Sequence, residues 1–369
     1  MRVMFWSAVF PPSIGGVQTM ASQLLRAMRK QGHEFLVITE RVRSDLPVDD
    51  SFEGIPVYRL PFAAVLGNPE RLAKVRKEVL RLKRTFDPDL LHTAAVSAND
   101  LFQLLTLTAH PTPWLVSLLG AWPRSCDAFV RRTLENADWV VACSNSMLEL
   151  GRDLAPAISS HSSVIYNAQE PPSATPSPLV FHPPVLLCLG RLSREKGVDV
   201  ALAAFAHVVA RVPQARLIVV GDGPERSALE SQARELGVDR VVQFRGWVGP
   251  EDVPELINTA AVAIVPSRDD AFPLVGLQMA VMRRPTVAAR VGGIPELIVD
   301  HETGILVETE DPQAMADAVV ELLESPGRAR RMGEAARRRA MEVFSFDKHV
   351  AAYDELYHRL ARSRREDSR

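Results

Sequence analysis

Cysteine is scarce in this chain: Cys126, Cys143 and Cys188 are the three among 369 residues. An odd number with no metal-ligand spacing argues against a disulfide framework and a cysteine-bound metal, so Cys143 and Cys188 are expected in the core. Long apolar runs are missing too. No stretch approaches the roughly 18 uncharged residues that suggest a membrane span. The apolar segment Val3 to Phe10 runs straight into a Pro and Gly turn, not toward a signal-peptide cleavage site, so a cytoplasmic protein is expected. Charge imbalance is absent as well. A formal net charge of -2 leaves no whole face of cations for nucleic acid, and no tandem repeat stands out.

What is present is a globular composition, 47% hydrophobic and 24% charged, in a chain too long for one ordinary core, which predicts two domains. The first half alternates apolar strands (Val3 to Phe10, Glu34 to Thr39, Leu90 to Leu91, Leu115 to Leu118, Trp139 to Ala142) with helices such as Gln18 to Gln31. That alternation predicts an α/β, doubly wound parallel sheet. Around 168–184 the sequence becomes AQEPPSATPSPLVFHPP, which holds neither helix nor central strand. The expected division is therefore a first domain over 1–168, a linker over 169–184 and a second βα domain over 185–345. An amphipathic helix over 346–361 follows.

Three glycine-marked turns in the second half end predicted strands: GRLSREKG at 190–197, GDGP at 221–224 and PSRDDAFPLVGLQMA at 266–280, which leads on to VGGIPELI at 291–298. Ligands of open α/β sheets bind at such strand ends, and a departing nucleoside diphosphate needs fixed cations and backbone N–H groups. Arg191 and Lys196 either supply these cations or are solvated turn residues. Gly221 and Gly223 allow positive φ or close backbone approach; they read as a wall of a nucleotide pocket or as a β-to-α turn capped by Asp222.

The order and spacing of these elements, with the opening RVMFWSAVFPPSIGG and the closing FSFDKHVAAYDELYHRL, resemble retaining glycosyltransferase family 4. The resemblance covers nearly the whole chain. It implies the GT-B fold, two Rossmann-like doubly wound domains facing across a cleft, with the last helix crossing back to the first domain. It also implies transfer of a sugar from a nucleotide diphosphate sugar to an acceptor hydroxyl with retention, the leaving phosphate itself taking the acceptor's proton. Arg191 and Lys196 then hold the donor diphosphate in place of a metal, and no cofactor is required. DPD at 87–89 imitates a metal motif and reads as a turn. Glycan or envelope polysaccharide assembly is the implied setting, with a glycan or lipid-linked acceptor.

Departures from the family pattern mark the site. The family's two glutamates fall at Asp270 and Gln278. Asp270 keeps the charge expected to meet the donor sugar, or is an acidic residue before a helix start. Gln278 offers the ribose one acceptor oxygen where a carboxylate serves two donors. Between them Phe272, Pro273 and Leu274 line the donor turn. Leu119 stands where a family histidine precedes a glycine, so His92 is the remaining histidine candidate beside Asp270 for a catalytic role; its plain alternative is a strand-end histidine satisfied by backbone. Leu119 and Gln278 together also allow a non-catalytic relative that binds a nucleotide sugar or a partner protein.

Gly15 and Gly16 in PPSIGG join the first strand to a helix N-terminus suited to anions; in the family this loop covers the diphosphate. Gly292, Gly293 and Glu296 would oppose it. The segment 71–84 places Leu72, Val75, Val79 and Leu82 on one face with seven basic residues elsewhere. It is either a surface helix packed on its domain or a peripheral contact with anionic lipid.

Overall fold

A computed structural model of the chain describes residues 1–13 and 15–367; Ile14, within the PPSIGG turn, lies outside the described residues. The chain divides into two compact units, Met1–Asn167 joined by the segment from Asp347, and Ala168–Phe346.

The first unit holds strands β1 (Arg2–Ser7), β2 (Glu34–Glu40), β3 (Asp49–Phe52), β4 (Ile55–Leu60), β5 (Leu90–Ala94), β6 (Trp114–Leu118), β7 (Trp139–Ala142) and β8 (Ser162–Val164). They form one sheet in the order β3-β4-β2-β1-β5-β6-β7-β8. All pairings are parallel except the β3–β4 hairpin. The central strands are buried from end to end, as in VMFW and WLVSL, because helices cover both faces of a parallel sheet. The hairpin turns at Glu53 and Gly54, both with positive φ, the geometry of a tight two-residue hairpin turn.

The helix Pro69–Phe86 buries Val75, Val79, Leu82 and Phe86. It also buries Lys83, which corrects the expectation that all seven basic residues face outward. The Lys83 ammonium donates to Thr106 Oγ1 at 2.9 Å, and burial pulls its pKa down to about 7. Arg71, Lys74, Arg76, Lys77, Arg81 and Arg84 are exposed.

The closing helix Phe346–Asp367 belongs to the first unit. Val350, Tyr353, Tyr357 and Leu360, at helical spacing, are each at most 5% exposed. Tyr353 Oη meets Ser117 Oγ at 3.1 Å and Tyr357 Oη meets His92 Nδ1 at 2.6 Å, so the end of the chain completes the core under β5 and β6.

The second unit holds β9 (Val185–Leu189), β10 (Arg216–Val220), β11 (Val242–Gly246), β12 (Val262–Val265), β13 (Thr286–Ala289) and β14 (Ile305–Val307), all parallel, in the order β11-β10-β9-β12-β13-β14. The winding direction reverses between β9 and β12, the switch point at which an open sheet of this kind receives ligands.

The segment expected as a linker contains no helix or strand, yet it is not loose. Leu179 and Phe181 are buried in the second unit's core. The Ser177 N–H donates to Asn258 Oδ1, and the buried Arg284 guanidinium donates to the Ser177 carbonyl. Proline and serine remove backbone pairing from such a segment without removing its apolar anchors. Cys143 and Cys188 lie in the core as expected, and Cys126 is exposed.

Candidate functional site

Four turns leave the C-terminal edge of the second unit's sheet, after β9, β10, β12 and β13, and backbone hydrogen bonds sew them together. Gly190 N–H donates to Val220 O at 3.0 Å, Leu192 N–H to Asp222 O at 2.9 Å, Glu225 N–H to Leu192 O at 3.0 Å, Arg268 N–H to Glu195 O at 2.8 Å, and Gly293 N–H to Asp270 O at 2.9 Å. Gly221 and Gly223 serve this sewing. Gly221 has φ +124°, and a Cβ there would come within 1.9 Å of the Gly190 carbonyl oxygen; one at Gly223 would come within 2.3 Å of Leu192 O. Their lack of a side chain is explained by loop against loop, without any ligand.

Within this frame the Lys196 ammonium donates to Asp270 Oδ2 at 2.8 Å, and the Ser267 hydroxyl reaches the same oxygen at 3.2 Å. The Asp270 side chain is 10% exposed and Lys196 31%, so this pair is held, not floating. Arg191 is more open. Its side chain is 68% exposed and bonds Glu195 one turn on, a surface pair worth about 1 kcal/mol or less and easily exchanged for a phosphate. The Ser193 hydroxyl, ahead of Arg191, holds the Glu195 carboxyl below its ordinary pKa.

Arg268 was missed by the sequence reading. Its guanidinium grips Asp199 through two bonds of 2.7 and 2.6 Å, the Arg194 carbonyl at 2.8 Å, and Glu310. It thereby fastens the turn carrying Lys196 to the turn carrying Asp270. The only signal was an arginine inside a glycine-free PSRDD turn, and its partners lie 69 residues or more away along the chain, apart from the Glu310 contact at 42.

Phe272 and Pro273 are buried, Phe272 against Phe344 with ring centroids 5.4 Å apart. They shape the turn from beneath. Leu274 opens the helix Leu274–Val281, and Gln278 sits on it half-buried, its amide without a side-chain partner among the described residues. Arg283, just after this helix, takes the left-handed conformation at φ +58°, at the position where a helix commonly ends on glycine. Trp247, directly after β11, is 55% exposed, an aromatic face at the same edge of the sheet.

The remaining candidates lie in the first unit. Gly16 opens the helix Gly16–Lys30, which has no acidic residue in its first turn and no side-chain cap. Gly15 is extended at φ 165°, a conformation any residue adopts. His92, the catalytic candidate, is corrected, and so is its alternative of a strand-end histidine satisfied by backbone. It is 1% exposed, with both ring nitrogens engaged, to Tyr357 Oη and Ser117 Oγ, and burial drives its pKa down to about 3. It is a neutral core histidine satisfied by side chains, with no face for a substrate. Leu119 is buried at the end of β6. In the DPD turn, Asp89 accepts the Arg2 N–H at 2.8 Å and Asp87 caps the preceding helix in the left-handed region.

Two family models match in succession, Glycosyltransferase Family 4 over residues 14–171 and Glycosyl transferases group 1 over residues 176–339. A glycogen synthase of Mycobacterium tuberculosis is 27% identical over 99% of this chain and 96% of its own length. Among solved structures, a sucrose-phosphate synthase from Thermosynechococcus elongatus superposes with a TM-score of 0.83 at 22% identity, covering 98% of this chain and 100% of that one. An Anabaena protein solved in complex with UDP-glucose gives 0.79 at 20% identity, covering 98% and 100%. With the reversed six-stranded sheet and its sewn turns, these matches place the chain in glycosyltransferase family 4, with the GT-B fold.

Proposed function

We propose that the second unit binds a nucleoside diphosphate sugar, and that the enzyme transfers the sugar to an acceptor hydroxyl with retention of configuration. One observation carries this reading: the turn after β9 at the switch point carries two cations, an open Arg191 and a Lys196 paired with the fixed carboxylate of Asp270. Arg191 is free to take a diphosphate bidentately, while Lys196 acts as a point charge. Asp270, fixed by Lys196 and Ser267, is placed to accept from sugar hydroxyls. Gln278 meets the ribose with one acceptor oxygen, and Trp247 offers a stacking face to the base. The cations supply the charge stabilisation that a metal supplies elsewhere, so turnover proceeds without added Mg²⁺ or Mn²⁺. That a relative is named glycogen synthase and a structural neighbour holds UDP-glucose supports a glycan-building reaction; assembly of an envelope polysaccharide on the cytoplasmic side is our reading.

Calorimetric titration tests the site. Lys196→Ala and Arg191→Ala each weaken nucleoside diphosphate binding roughly 10- to 100-fold, the cost of a hydrogen bond to a charged group, and leave nucleoside binding unchanged. Gln278→Glu tightens both ligands by restoring the second ribose acceptor. Equal losses for nucleoside and diphosphate in the cation variants would overturn the clamp. NMR of the product's anomeric proton settles retention.

A further inference from the structure

Among the described residues one group combines three metal-capable side chains: His33, Asp354 and His358. His33 lies in the turn between the helix Gly16–Lys30 and β2. Its side chain is 2% exposed, and its Nε2 stands 2.7 Å from Asp354 Oδ1. His358 follows Asp354 by four positions on the closing helix, so both project from one helical face, with His358 Nε2 3.9 Å from the same oxygen. The three ligand atoms lie within 4.8 Å of one another.

We propose that these residues form a binding site for a divalent transition ion of the zinc class, which pins the closing helix to the start of the first unit. Bonds of about 2.0–2.2 Å in tetrahedral array separate neighbouring ligand atoms by about 3.3–3.6 Å. The 2.7 Å His33–Asp354 spacing is a direct hydrogen bond that must open to admit an ion, and the 3.9 Å His358–Asp354 spacing must close. His358 is 46% exposed and Asp354 32%, so both rotamers can adjust while buried His33 stays fixed, and water completes the fourth position from the open side. Two imidazoles and one carboxylate suit zinc and its neighbours, whereas Mg²⁺ and Ca²⁺ call for oxygen alone. Such an ion would join positions 321 residues apart, a cross-link where the chain's end closes its first core. The site is separate from the donor turns, which belong to the other unit.

Equilibrium dialysis of the full chain, stripped of metal and then titrated with Zn²⁺, tests the proposal. One zinc per chain is expected, with a rise in melting temperature that Mg²⁺ does not reproduce, and Co²⁺ in its place gives the intense visible absorption of a four-coordinate site. His358→Ala, at an exposed position, keeps the fold and weakens zinc binding on the order of tenfold or more, and His358→Cys restores it. If the wild type takes up no zinc, or His358→Ala takes it up as tightly as the wild type, His33 and Asp354 are only a hydrogen-bonded helix anchor and the site does not exist.

Discussion

Asp100 is the clearest case of one residue setting a solution property. It is fully buried beyond the end of β5, where its carboxyl accepts from Thr93 Oγ1 at 2.8 Å and the Ser97 N–H at 2.7 Å. Thr93 in turn receives the Trp114 indole. Burial outweighs these bonds and raises the carboxyl to about 7 from 3.8. The folded state therefore holds this proton more tightly than the unfolded chain. The stability so gained is complete below about pH 4 and is lost as pH rises through 7. Asp100→Asn removes that dependence, so relative to wild type the variant gains stability between pH 4 and 7 and nothing further above. Urea denaturation of both proteins across this range measures it, and parallel curves would show that Asp100 does not titrate there. At this scale the sequence was legible wherever the reason for a residue is local. Gly221 and Gly223 stand out in any glycine-marked turn. Arg268 and His92 were not legible, because what fixes their roles are partners brought near only by the fold.

The same division runs through the elements. Apolar strands buried on both faces, such as β5, β6 and β9, read directly as strands. The β3–β4 hairpin did not, since DDSF is polar and two of its four residues are aspartates on an exposed edge. The helix 71–84 was legible as amphipathic, but periodicity alone could not place Lys83, whose aliphatic stem and ammonium are absorbed by the packing around Thr106. With Val75, Val79, Leu82 and Phe86 turned inward, no apolar stripe remains to enter a bilayer, so any membrane contact through this helix is electrostatic. Lys74 pairs with Glu70 and Arg81 with Glu78, whereas Arg71, Lys77 and Arg84 have no side-chain partner among the described residues. Liposomes rich in anionic lipid should thus retain the protein at low salt and release it near physiological salt, where screening acts within about 8 Å. The triple variant Arg71→Gln, Lys77→Gln, Arg84→Gln should lose retention; retention that survives high salt would mean that some other surface binds.

For the whole molecule, the decisive feature is that the first unit is not closed by its own continuous stretch of chain. Its core is finished by a helix that comes after the entire second unit, and among the described residues no helix is long and apolar enough to cross a membrane. Resemblance anticipated that return, whereas the amphipathic pattern alone showed only that one face is buried. Tyr357 is fully buried, and its hydroxyl bonds His92 beneath β5, so Tyr357→Ala removes a large aromatic and leaves a buried nitrogen unpaired. The expected cost is about 3–5 kcal/mol. All of it falls on the unit formed by 1–167 and the closing helix, because the second unit's core and switch-point turns contain no residue beyond Phe346. Calorimetry should therefore show one transition moved down by several degrees, while nucleoside diphosphate affinity, measured below that transition, stays at the wild-type value. A single transition shifted as a whole, with nucleotide affinity falling in step, would show instead that the two units fold as one.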